Sequence, residues 1–183
     1  YYRDVQGGNG QFIDLSIYEP IFQLLGPQPM AYDQLGIIQE RMGNRSLNNA
    51  PRNTYQTLDK HWVAISTNSP SIVRRVLTLC GGEDVANDPR FQTPAGRVEF
   101  IEEVDGVVAN WILQHNLIDV LEKFEEVEAA VGPVYNIAQI FEDPQYIARN
   151  DIINLNDEDL GKIKMTAGFP FMSETPAEIR HAG

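Results

Sequence analysis

The chain has 183 residues, 43% of them hydrophobic and 22% charged, with one cysteine and a formal net charge of −12. The acidity speaks against nucleic acid or an anionic membrane surface as partner, since both call for clustered Lys and Arg. A lone cysteine allows no internal disulfide, and no apolar run approaches the roughly 18 residues of a membrane span, so a cytoplasmic protein is expected.

In chain order, Gly8-Asn9-Gly10 reads as a turn feeding a short strand over Gln11–Leu15, with Ser16 as the cap of a helix to Leu25. Such a unit belongs inside an α/β domain, because a strand needs neighbours on its ladder. Tyr1 stands where an initiator methionine is expected, so the chain reads as a piece of something larger. Gly26-Pro27 stops the first helix, and the Pro-rich Gly26–Pro29 reads as irregular. From Tyr32 to Pro51 the sequence predicts a long ordered loop.

Thr54–Thr57 and Trp62–Ser66 flank a turn at Leu58–His61 and predict a hairpin. Ser69-Pro70 opens a helix over Ser71–Cys80 that Gly81-Gly82 ends, with Ile72, Val73, Val76, Leu77 and Cys80 on one stripe. Asp88–Phe91 is a turn. Thr93-Pro94 starts a helix of about 20 residues, facing inward with Val98, Ile101, Val104, Val108, Trp111 and Ile112. Asn116 caps another, with Leu117, Val120, Leu121 and Phe124 inward. Glu99, Glu102, Glu103, Asp105, Glu122, Glu125, Glu126 and Glu128 fall on the outer faces of these two helices and read as solvated. Val131–Val134 is a short apolar segment, Asn136 caps a helix to Phe141, and Asp143-Pro144 begins another to Arg149. Ile152–Leu155 and Lys162–Met165 predict a second hairpin around Asn156–Asp159. Gly168–Pro176 reads as extended and irregular, and Arg180–Gly183 ends without a closing element.

The chemistry-bearing residues are sparse. His61, His115 and His181 lie far apart, no CxxC or HExxH spacing occurs, and no metal site is expected. Gly7–Gly10 precedes a strand, whereas a phosphate loop follows one. Cys80 sits on an apolar stripe and reads as a buried structural thiol, and Trp62 reads as a core anchor. No catalytic constellation is complete, so no catalytic residue is assigned.

The order of the motifs resembles a family. Gly8–Ser16 is similar to the "G-x-G-Q-x-V-D-V-S" segment of the class III CoA-transferases, the CaiB/BaiF family. Gly43-Asn44 with Ala50-Pro51, then Tyr55–Val63, Asp88–Phe91, Val131–Val134, Asp143–Gln145 and Phe169–Pro176 resemble further family motifs in the same order. The resemblance implies an α/β fold: a small α+β domain carrying arms of a Rossmann-like large domain. Residues 1–30 would be strand and helix of the large domain, 31–52 a connecting loop, 53–150 the small domain and 151–183 a return segment. It also implies an interlocked homodimer and movement of CoA between carboxylic acids, with a CoA thioester as substrate and no covalently bound cofactor.

In this family an aspartate that attacks the acyl-CoA carbonyl lies upstream of the segment matching Gly8–Ser16, so the resemblance gives the chain no catalytic residue. Asp4 and Asp14 are not its equivalents. A racemase acting on 2-methylacyl-CoA is the alternative within the family, and a stand-alone binding or assembly module is the alternative outside it. The loop Gly43–Pro51 matches a family loop that approaches the active site. Two readings of it stay open. Asn44, Asn48 and Asn49 contact the CoA thioester, or the loop is a linker held by Asn hydrogen bonds. The hairpin departs from the family pattern at Lys60, where glycine is usual.

Overall fold

In a computed structural model, residues 3–179 and 181 are described. The end expected over Arg180–Gly183 therefore lies, His181 apart, outside the described residues. The chain divides into two compact units, Tyr1–Gly43 and Asn44–Gly183.

In the first unit the expected strand over Gln11–Leu15 does not form, and residues 7–16 carry no regular element. No described segment pairs with it, and an unpaired strand has no ladder to hold it. Helix α1 spans Tyr18–Gln23 with Ile17, not Ser16, at its N-cap. The Ser16 N–H instead donates to Glu19 Oε2 at 3.0 Å. Beyond Gln23 the helix tightens, with Leu24 and Leu25 bonding to the third carbonyl back. The Pro-rich stretch is not irregular but opens α2, Gln28–Leu35, whose last turn occupies the start of the loop expected over Tyr32–Pro51. Pro27 at the cap and Pro29 in the first turn lack only N–H groups that would find no helical acceptor. Gly36, at φ 66°, closes it in the left-handed conformation.

In the second unit β1 (Arg52–Gln56), β2 (Trp62–Ser66) and β3 (Val131–Pro133) form an antiparallel sheet in that order. Thr54 faces Ala64, and Ala64 faces Gly132. At the hairpin turn Lys60 takes φ 65°, so the position where the family pattern has glycine needs the left-handed region here too. The turn also reaches a helix end: Asp59 accepts from the Leu117 N–H at 3.1 Å. Asn116 occupies the N-cap position of α6 (Leu117–Glu126) without a side-chain bond, so the capping function has passed to Asp59.

The helical span α3, Pro70–Ala86, is capped by Ser69 and is interrupted where the glycines were expected to end it: Gly82 leaves helical geometry (φ 80°, ψ 178°), and a further helical run follows to Ala86. A short turn, Pro89–Phe91, leads to α4, Pro94–Glu99. The single helix expected after Thr93 is two, because Phe100 leaves helical geometry (φ −103°, ψ 35°) before α5, Ile101–Ile112. Tyr55, Val63 and Ile65 from one face of the sheet meet Val76, Val108, Ile112, Val120 and Phe124 of the helices in the main core. A second cluster joins Ala50, Val73, Leu77, Phe91 and Val104. Trp62 is not a core anchor: it alternates to the other face and is 46% exposed. Asn136 caps α7, Ile137–Glu142, through a full capping box, and Asp143 caps α8, Pro144–Arg149. The second hairpin pairs β4 (Ile152–Asp157) with β5 (Gly161–Thr166).

Candidate functional site around the 44–54 segment

The loop that links Gly43 to β1 is held at three levels. At its start, Asn44 Nδ2 donates to Thr54 Oγ1 at 2.8 Å. Next, Arg45 ties the loop to α5: Nε donates to Asp105 Oδ2 at 2.8 Å, and its fork grips Glu102 through both terminal nitrogens. At its end, Asn49 spends both ends of its amide, donating to the Thr67 carbonyl and accepting from Arg97 at 3.0 Å. Asn48 turns its side chain to solvent.

Two residues of this network lie deeper than the sequence suggests. Asp105 was grouped with the solvated carboxylates, yet it is 5% exposed. It accepts from Tyr55 Oη at 2.8 Å and Asn53 Nδ2 at 3.0 Å besides Arg45. Spacing held the signal: Asp105 follows Ile101 by four residues and precedes Val108 by three, so it lies on the apolar stripe. A carboxylate there has to be met by donors, and three arrive from β1 and the loop. The other residue is Arg97, 1% exposed, whose guanidinium meets no carboxylate and donates to the carbonyls of Ala50 and Phe91 and to Asn49. No spacing rule singled it out, since its acceptors are mostly backbone.

The titration behaviour follows from these contacts. Bonding to Arg45 holds the Glu102 carboxyl below the ordinary glutamate range and raises the Arg45 guanidinium. Burial, with Asp105 beside it, pushes the Tyr55 hydroxyl up. Burial also drives the Cys80 thiol up to about 12, which leaves it a structural group at neutral pH. His61 Nδ1 stands 3.4 Å from Gln139 Nε2, and His115 stacks on Trp111 at 3.9 Å between ring centroids. Among the described residues no group of three or more His, Cys, Asp or Glu could hold a metal ion.

Beside the loop, a cleft of about 290 Å³ opens on the sheet, lined by Asn44, Arg52, Asn53, Thr54, Ala64, Ile65 and Ser66. It joins one of the three asparagines expected to meet substrate to a cation. Asn49 is used up in holding the loop, and Asn48 faces outward.

The helical layer on a small antiparallel sheet is that of an α/β protein, and the motif order along the chain resembles the class III CoA-transferases; the comparisons agree on the family. The chain belongs to CoA-transferase family III, which it matches over residues 1–183. It is 35% identical to the succinyl-CoA–D-citramalate CoA-transferase of Chloroflexus aurantiacus, over 97% of this chain and 44% of that protein. It is 29% identical to the succinate–glutarate CoA-transferase of Agrobacterium fabrum, over 94% of this chain and 43% of that protein. The crystal structure of a CaiB/BaiF family protein from Brucella suis superposes with a TM-score of 0.73 at 24% identity, covering 98% of this chain and 46% of that one. The chain thus spans somewhat less than half the length of the relatives it matches. Among the described residues no helix is long and apolar enough to cross a membrane.

Proposed function

We propose that the chain works as part of an acyl-CoA:carboxylate CoA-transferase in which succinyl-CoA is the donor and a dicarboxylic acid the acceptor. The observation that carries this reading is the 35% identity, over nearly the whole chain, to a succinyl-CoA–D-citramalate CoA-transferase. The succinyl-CoA–L-malate and succinate–glutarate enzymes among the relatives pair the same kind of acids. The reaction exchanges partners on one thioester: the succinyl–sulfur bond and one C–O bond of the acceptor carboxylate break, a new acyl–sulfur bond forms, and the acceptor's oxygen ends on the succinyl carbon, which leaves as succinate. No redox step or outside reagent is needed.

In this reading the attacking carboxylate comes from sequence outside the chain, and the chain binds and orients. Asn48 offers an uncommitted amide to the thioester, Asn44 borders the cleft, and Asn49 with Arg97 keeps the loop in place. The protein acts in the cytoplasm as a homodimer that surrounds its substrates.

The test is acyl exchange by the complete enzyme, read by chromatography of CoA esters after mixing succinyl-CoA with D-citramalate, L-malate or glutarate. New acyl-CoA from at least one of them is the expected result, and none from the isolated 183-residue chain. If none forms with any acid, the transferase reading fails. Solvent-deuterium incorporation at the α-carbon of a 2-methylacyl-CoA, without exchange, would instead assign the racemase branch.

A further inference from the structure

The chain carries 26 acidic residues against 14 basic ones, and its arginines are mostly spent on that excess. Arg3, Arg45, Arg74, Arg75, Arg90 and Arg149 each pair with a carboxylate. Arg97 is enclosed among oxygen acceptors. Among the described residues Arg41 and Arg52 pair with no acid. Of the two, Arg52 lines the cleft on the open sheet face, whose lining holds no Asp or Glu.

Beside Arg52 the cleft sets two hydroxyls, of Thr54 and Ser66, against apolar surface from Ala64 and Ile65. β1 alternates, so Asn53 and Tyr55 turn toward Asp105 while Arg52 and Thr54 turn the other way. Arg52 lies opposite Ser66 and Thr54 opposite Ala64, which places a guanidinium and two hydroxyls around the Ala64 methyl, with Asn53 and Ile65 completing the lining. The Thr54 oxygen already accepts from Asn44, so its own proton is left to donate outward. A cation with hydroxyl donors and no competing carboxylate suits an oxyanion, which a guanidinium fork binds in bidentate fashion.

We propose that this cleft is an oxyanion subsite for the thioester substrate, with Arg52 as its cation and Thr54 and Ser66 as accompanying donors. The proposal rests on the CoA-transferase reading. A CoA thioester of a dicarboxylic acid brings two candidate groups of this chemistry: the free carboxylate of the acyl chain and the 3′-phosphate of the nucleotide.

The complete enzyme and its Arg52→Gln and Arg52→Lys variants should be titrated calorimetrically with succinyl-CoA, butyryl-CoA and succinyl-dephospho-CoA. Arg52 is exposed on its strand, so the substitutions leave the core untouched. If the carboxylate is bound, Arg52→Gln raises Kd about tenfold or more for the two succinyl esters and leaves butyryl-CoA within about twofold, the scale of one charge-assisted bond. If the phosphate is bound, succinyl-CoA and butyryl-CoA weaken together while the dephospho ester does not change. In either case Arg52→Lys keeps part of the affinity. An equal loss on all three esters, or no loss on any, overturns the subsite. Steady-state transfer measured on the same samples separates the two claims. An enzyme that binds these esters but exchanges none ends the transferase reading, while the pattern of Kd values still decides the cleft.

Discussion

Asp105 carries the polar architecture around the loop. Its two oxygens take hydrogen bonds from Arg45, Asn53 and Tyr55, so one carboxylate joins α5, β1 and the chain before β1. Glu102 completes the pairing of Arg45, but it is exposed, and an exposed ion pair contributes little. The buried partner decides the energetics. Asp105→Ala leaves a phenol, an amide and a guanidinium edge without their acceptor, and a loss of about 3–5 kcal/mol is expected. Glu102→Ala should cost far less, because solvent screens an exposed pair. Urea unfolding followed by circular dichroism checks both, and equal costs would show that burial does not rank the two carboxylates. Composition alone could not supply this ranking. Counting acids on a helical surface treats Asp105 and Glu102 alike, and they part only once the stripe through Ile101, Val108 and Ile112 is drawn.

Most boundaries between elements were legible because caps and breakers act locally. Ser69, Thr93, Asn136 and Asp143 accept from N–H groups two or three residues on, as their positions before a helical run predict. What stayed hidden were bonds that close over long sequence distances. Asp59 belongs to a hairpin turn yet caps α6, 58 residues away, and no local pattern announces that. Its consequence is a pH dependence. The Thr57 hydroxyl and the Leu117 N–H hold the Asp59 carboxyl below the ordinary aspartate value. A group with a lowered folded pKa stabilises the fold above its unfolded value, about 3.9, and loses that contribution as pH falls through the folded value. The thermal midpoint should therefore drop on going from pH 6 to pH 3, and it should drop less in Asp59→Asn. An identical drop in both proteins would show that this carboxyl does not link α6 to acid stability. Asp88, Glu102 and Asp143 are lowered as well and contribute in the same direction, so the informative quantity is the difference between wild type and variant.

At the scale of the molecule, the two units differ in what they bury. The second holds both cores. In the first, α1 and α2 contain no buried residue, and Phe12, Ile17 and Leu24 are 92%, 89% and 84% exposed. The short apolar run Phe12, Ile13 and Leu15 predicts a strand, because such a run after a glycine turn normally reports a ladder. The pattern is present and, among the described residues of the first unit, the ladder is not. Large apolar side chains left in water favour association. The same argument extends to Phe169 and Phe171, 93% and 81% exposed, in the irregular segment before the C-terminus. Isolated in solution, the chain is therefore expected to associate. Light scattering should give a weight-average mass of at least twice 20.6 kDa, growing with concentration. Replacing Phe12, Ile17 and Leu24 together by serine should lower that mass, since each leaves exposed apolar area behind and none contributes to either core. A wild-type chain that stays at 20.6 kDa across a hundredfold range of concentration would mean that these side chains find cover within the chain. The first unit would then have to fold onto itself in a way that the sequence pattern, read as a strand seeking partners, does not describe.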